Sequence, residues 1–145
     1  MERFLMADDS VKRILLIDDD IPLRTAFSRA LERQGYTTKG IDGSVDVVDE
    51  VRNFEPSIVL MDNHMPGKTG MQILKILRGY WSIDELPVVL ISGSSRQAEV
   101  DSALAQGVTA FRRKPLGIAE LIETVRLVGS GAPVGGPLET GILGI

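Results

Sequence analysis

The chain has 145 residues, of which 43% are hydrophobic and 25% charged, the balance of a single globular domain. A formal net charge of −4 produces a field that repels a phosphate backbone, so direct nucleic-acid binding is excluded as the expected role. The absence of cysteine removes disulfides, thiolate metal sites and thiol nucleophiles, and no stretch approaches a membrane-spanning length, so a cytoplasmic domain is expected.

Residues 1–12 read as an N-terminal extension, a short apolar patch from Phe4 to Ala7 that turns acidic. Ile14 to Ile17 is a continuous apolar run, the pattern of a strand buried on both faces. Leu23, Phe27, Ala30 and Leu31 then recur at helical spacing and stop before Gly35. Tyr36 to Ile41 is a second strand, and Ser44 to Arg52, with Val45, Val47, Val48 and Val51, a second helix. Ile58 to Met61 repeats the buried-strand pattern and Thr69 to Arg78 the helical one. Val88 to Ile91 is the fourth strand, Arg96 to Ala105 an alanine-rich helix, and Val108 to Arg112 the fifth strand. Ile118, Leu121, Ile122 and Val125 predict a last helix ending before Gly129. Residues 13–128 are thus expected to form the domain. Residues 129–145, rich in Gly and Pro with almost no charge, are either a flexible tail or the first part of a linker.

Five strands alternating with five helices predict an α/β fold, a doubly wound parallel sheet with right-handed crossovers and a ligand crevice at the strands' carboxyl ends. Functional side chains fall at those ends. Asp18 and Asp19 follow the first strand, Asp62 ends the third, Ser92 the fourth, and Lys114 follows the fifth. The topology brings these ends to one rim, giving a pocket of carboxylates, a hydroxyl and an ammonium. Carboxylate oxygens are the hard ligands Mg²⁺ prefers, usually alongside a phosphate. The cluster therefore points to phosphate chemistry, in which an aspartate can be the nucleophile and a lysine can clamp the transferred group.

Four pieces in order, "LLIDDDIPLR", "SIVLMDNHMPGKTG", "LPVVLISGSS" and "GVTAFRRKP", resemble the receiver domain of two-component response regulators, chemotaxis regulators included, from about Arg13 to Leu127. The resemblance implies a flavodoxin-like receiver fold in which Asp62 accepts a phosphoryl group from a phosphohistidine on a sensor histidine kinase or a histidine phosphotransfer protein. It implies Mg²⁺ or Mn²⁺ held by Asp18, Asp19, Asp62 and the backbone carbonyl of His64, with Asp19 the more direct of the acidic pair. Lys114 would pair with the Asp62 carboxylate and then with a phosphoryl oxygen, across a Lys114–Pro115 bond expected to be cis. Ser92 would move toward the phosphoryl oxygen and Phe111, the switch aromatic, would rotate inward. The face of the fourth helix, fifth strand and fifth helix would then change for an output protein not named by the sequence, or for a phosphorylation-dependent homodimer. Such a domain catalyses its own phosphorylation and autodephosphorylation at Asp62. The chain departs from the commonest family pattern at Ser92, which lacks the methyl of Thr, at Gly93, where Ala is more usual, and at Phe111, which has no hydroxyl. His64 and Ser94 stand where the family flanks the route of the hydrolytic water.

Plainer roles account for some of these residues. Asp20 suits the start of the first helix, with Pro22 in its first turn. His64 reads as a partly exposed loop side chain, Tyr80 and Trp81 as satellite packing at the end of the third helix, and Arg112 and Arg113 as a solvated strand edge. Two alternatives compete with a phosphoacceptor. One is a haloacid-dehalogenase-type phosphatase using Asp18 as nucleophile and Asp20 as acid, which would need an acidic pair after Lys114, where only Glu120, Glu123 and Glu139 occur. The other is a non-phosphorylated pseudo-receiver that only binds partners.

Overall fold

Short apolar runs cannot expose either face, and each is laid into the middle of one sheet. The computed structural model describes residues 13–94 and 96–131; the expectations for residues 1–12 and 132–145 lie outside these. The strands are β1 (Arg13–Ile17), β2 (Thr37–Ile41), β3 (Ile58–Asp62), β4 (Val88–Ser92) and β5 (Ala110–Arg113). The helices are α1 (Ile21–Arg33), α2 (Val47–Phe54), α3 (Gly70–Arg78), α4 (Gln97–Ala105) and α5 (Ile118–Ser130). All pairings are parallel and the order is β2-β1-β3-β4-β5, as the doubly wound reading expects.

The alternation of side chains along each strand divides the core in two. Leu15, Ile17, Val59, Met61, Val88, Leu90 and Phe111 face α2, α3 and α4. Ile14, Leu16, Ile58, Leu60, Val89 and Ile91 face α1 and α5. Because both sets are buried, β1, β3 and β4 show no polar alternation, which is why they read as unbroken apolar runs.

Helix ends follow local hydrogen bonding more closely than apolar spacing. Asp20 caps α1 by accepting the Leu23 N–H at 3.1 Å, with Pro22 in the first turn. Thr69 and Gln72 form a reciprocal capping box at α3. The second helix begins later than Ser44: Asp42 accepts the Ser44 N–H in a turn, and Asp46 is the cap, accepting from Asp49. The last helix does not stop before Gly129. It continues to Ser130, and Gly131 takes the left-handed C-terminal position at φ 77°. A glycine inside a helix costs about 0.5–1 kcal/mol relative to alanine, less than the packing of Val128 against the sheet contributes. No helix among the described residues is long and apolar enough to cross a membrane.

Arg112 departs from the expected solvated edge. It shares a sheet face with Ala110, under α5, and is buried there, its Nε donating to Thr124 Oγ1 at 3.0 Å and a terminal nitrogen to the Phe111 carbonyl at 3.0 Å. Strand alternation turns it inward, and a hydroxyl on α5 makes the burial tolerable. Arg113, one residue on, is exposed. Trp81 packs partly buried against the α2–α4 side of the core, while Tyr80 remains exposed with the Arg52 guanidinium 5.1 Å above its ring.

Candidate phosphoacceptor site

The carboxyl ends of β1, β3, β4 and β5 bring the acidic pair, Asp62, Ser92 and Lys114 to one rim. Register sets this: Asp62 pairs with Ile91, and Ser92 with Arg113, so the three strand ends are level. Side-chain oxygens of Asp18, Asp19 and Asp62 lie within 4.8 Å of one another. Asp62 is only 3% exposed. Its Oδ1 receives the Lys114 ammonium at 2.9 Å and, more weakly, the His64 backbone N–H at 3.3 Å. The Lys114–Pro115 bond is cis. The His64 side chain is exposed.

The electrostatics are those of crowded anions around the Lys114 ammonium. Burial raises the pKa of Asp18 above its ordinary value; the Asp20 N–H, donating to Asp18 Oδ1 at 2.9 Å, opposes this, and the neighbouring Asp62 charge adds to it. For Lys114, burial alone would lower the pKa, but the Asp62 hydrogen bond and the charges of Asp62, Asp18 and Asp20 outweigh it, so the ammonium is held above its usual range. Asp19 is exposed at the rim. Three oxygens that close, all from carboxylates, form the donor set that Mg²⁺ or Mn²⁺ prefers.

Ser92 is fully buried, with its oxygen accepting the Ser94 N–H at 3.1 Å. Phe111 is 1% exposed and already lies inside the core facing α4. Two residues not singled out from the sequence support the rim. Arg24 lies across Gly40, where a Cβ would come within 2.8 Å of its side chain, and donates to the Asp18 carbonyl at 2.8 Å. Gly70 packs directly beneath the end of β3: a Cβ there would sit 2.6 Å from the Asp62 carbonyl oxygen, 2.7 Å from Leu90 Cδ1 and 2.9 Å from Asn63 Cα. Its only sequence signal is its place at the end of "DNHMPGKTG". Gly70→Ala is expected to destabilise the fold by about 1–3 kcal/mol through overpacking, read as a lower urea midpoint at unchanged slope.

A doubly wound parallel α/β sheet with an acidic cluster and a lysine at its carboxyl edge is an arrangement that comparison with known proteins assigns to a family. The model of the response regulator receiver domain family matches residues 14–126, and the chain belongs to that family. Response regulator MprA from Mycobacterium sp. (strain KMS) is 29% identical over 126 residues, covering 86% of this chain and 54% of the relative. The DNA-binding response regulator MtrA of Mycobacterium tuberculosis is 29% identical over 119 residues, covering 82% of this chain and 51% of the relative. The chain thus spans about half the length of the curated relatives it matches. Among solved structures, the signal receiver domain of a NarL response regulator from Mycobacterium tuberculosis matches with a TM-score of 0.72 at 28% identity, over 83% of this chain and 98% of that one. Chemotaxis response regulator CheY4 of Vibrio cholerae shares the fold, with a TM-score of 0.74 at 21% identity over 81% of this chain and 98% of its own.

Proposed function

We infer that Asp62 accepts a phosphoryl group from a histidine kinase or histidine phosphotransfer protein, and that the chain switches a partner-binding surface in response. The observation that carries this is the Lys114 ammonium 2.9 Å from a buried Asp62 carboxylate, beside two more carboxylates. Asp18, Asp19 and Asp62, with the His64 backbone carbonyl, would hold Mg²⁺ or Mn²⁺. Bound there, the ion would offset the repulsion between these carboxylates and an incoming phosphoryl group.

The chain's own groups then have separate tasks. Among the described residues, Lys114 and the His64 N–H both engage Oδ1 of the Asp62 carboxylate, so Oδ2 would be the oxygen that attacks phosphorus. The new O–P bond forms as the donor's P–N bond breaks, and the imidazole leaves with the electron pair. Lys114, held protonated, passes from the Asp62 oxygen to a phosphoryl oxygen. Ser92 turns its hydroxyl to a second phosphoryl oxygen. Because Phe111 is already inward, the change on the α4–β5–α5 face would run through Ser92 and α4 more than through rotation of the ring. An output protein or a second phosphorylated copy would read that face, in the cytoplasm where such kinases deliver phosphoryl groups.

The phosphatase alternative has less support. Asp20 is engaged as the α1 cap, and Glu120 and Glu123 lie exposed on α5 rather than as an acidic pair at the rim. Incubation with Mg²⁺ and acetyl phosphate, followed by peptide mapping by mass spectrometry, should place one phosphoryl group on Asp62 and none in Asp62→Asn. An adduct on Asp18, or repeated turnover of unrelated phosphate esters, would overturn the reading. Unchanged partner binding by Asp62→Asn, with no adduct on the parent chain, would favour the pseudo-receiver.

A further inference from the structure

The buried hydroxyl of Ser92 faces a carboxylate that none of the phosphotransfer steps above uses. Its proton is directed at Glu99 Oε1, 3.5 Å away in the first turn of α4, a distance longer than an ordinary hydroxyl–carboxylate bond. The other oxygen, Oε2, accepts the Asn63 side-chain amide at 2.8 Å. Asn63 Oδ1 accepts the Met71 N–H at the start of α3, at 3.0 Å, which fixes the orientation of the amide and leaves its N–H groups to face Glu99. One carboxylate therefore joins the residue after Asp62, the start of α3, the end of β4 and α4.

We propose that Glu99 is a positioning residue that competes with the Asp62 phosphoryl group for the Ser92 proton, and so sets how readily the phosphorylated state forms. The proposal rests on Asp62 being the phosphoacceptor. A serine has one proton to donate. Directed at Glu99, it is withheld from a phosphoryl oxygen; turned to the phosphoryl oxygen, it leaves Glu99 held by Asn63 alone. The first turn of α4 thereby senses the state of Asp62 through a hydrogen bond lost. The negative charge of Glu99 also opposes the incoming anion, and the two effects separate in a double-variant cycle.

The test is calorimetric binding of beryllofluoride with Mg²⁺ to the full chain, to Glu99→Gln, to Ser92→Ala and to the double variant. In Glu99→Gln the carbonyl can still accept from Asn63, while the amide presented to Ser92 only donates, so the Ser92 proton is released. Glu99→Gln should bind about fivefold more tightly than the parent, less than a hydrogen bond to a charged group usually contributes, as the 3.5 Å separation requires. In the Ser92→Ala background the same change should alter binding by no more than about twofold. An equal gain in both backgrounds would reduce Glu99 to simple charge repulsion and overturn the proposal, as would no gain in either. A parent chain that takes up no beryllofluoride would overturn the phosphoacceptor reading itself, and this proposal with it.

Discussion

Replacing Lys114 with methionine should slow phosphoryl transfer to Asp62 by about 10²-fold or more, the usual cost of removing one well-placed electrostatic donor. The same change should tighten Mg²⁺ binding. Lys114 is the cation that partly neutralises the rim, and without it Asp18, Asp19 and Asp62 present a more negative field to the ion. The Lys114 side chain is 29% exposed, so solvent screens the effect, and a gain on the order of fivefold at low salt is expected, shrinking as ionic strength rises. Calorimetric Mg²⁺ titrations at two salt concentrations, with the rate of Asp62 adduct formation from acetyl phosphate, check both halves. The opposed signs are what make the test decisive: damage to the fold would lower metal affinity and transfer together. Lys114→Arg should not restore the rate, because a planar guanidinium cannot occupy the place of a compact ammonium against a carboxylate that is almost fully enclosed. If Lys114→Met transferred normally, its pairing with Asp62 would be structural only.

The residues of the rim were legible for a topological reason. A strand buried on both faces shows as an unbroken apolar run, and Ile14–Ile17, Ile58–Met61 and Val88–Ile91 each end on a polar residue that a parallel sheet must bring to one edge. Lys114 was harder, since a lysine after a short strand is ordinary in isolation; only the order of the strands places it beside Asp62. Glu99, Gly70 and Arg24 were not legible in that way. Glu99 sits at an unremarkable helical position, and its partners Asn63 and Ser92 come from two different strand ends. Gly70 matters through a backbone approach that no periodicity encodes. Arg112 misled for the converse reason: charge suggested solvent, while strand alternation and Thr124 on α5 provide a buried place for it.

The acidic pair itself gives the second large effect, in which stability and function move in opposite directions. Asp18 is 8% exposed and its pKa is raised, by burial first and then, against the Asp20 N–H, by Asp62. A carboxyl with a folded pKa above its unfolded value binds its proton more tightly in the native state. Its ionisation therefore disfavours folding as pH rises from the unfolded value, near 3.8, through the folded one, and the penalty persists at neutral pH. Asp18→Asn removes that penalty and retains an oxygen to accept the Asp20 N–H. The metal-free variant should be more stable than the parent by about 1 kcal/mol at pH 7, and the difference should vanish as pH falls toward that of a free carboxyl. Urea denaturation in EDTA across that range reads the change directly. Its Mg²⁺ affinity should fall by about 10-fold or more, and transfer to Asp62 with it, because one of three charged oxygens is gone. A variant less stable than the parent at neutral pH would show that Asp18 serves the fold. The expected gain would instead make the crowding of Asp18 against Asp62 a cost of the metal-free fold, one that the proposed binding of an ion and a phosphoryl group at this rim would offset.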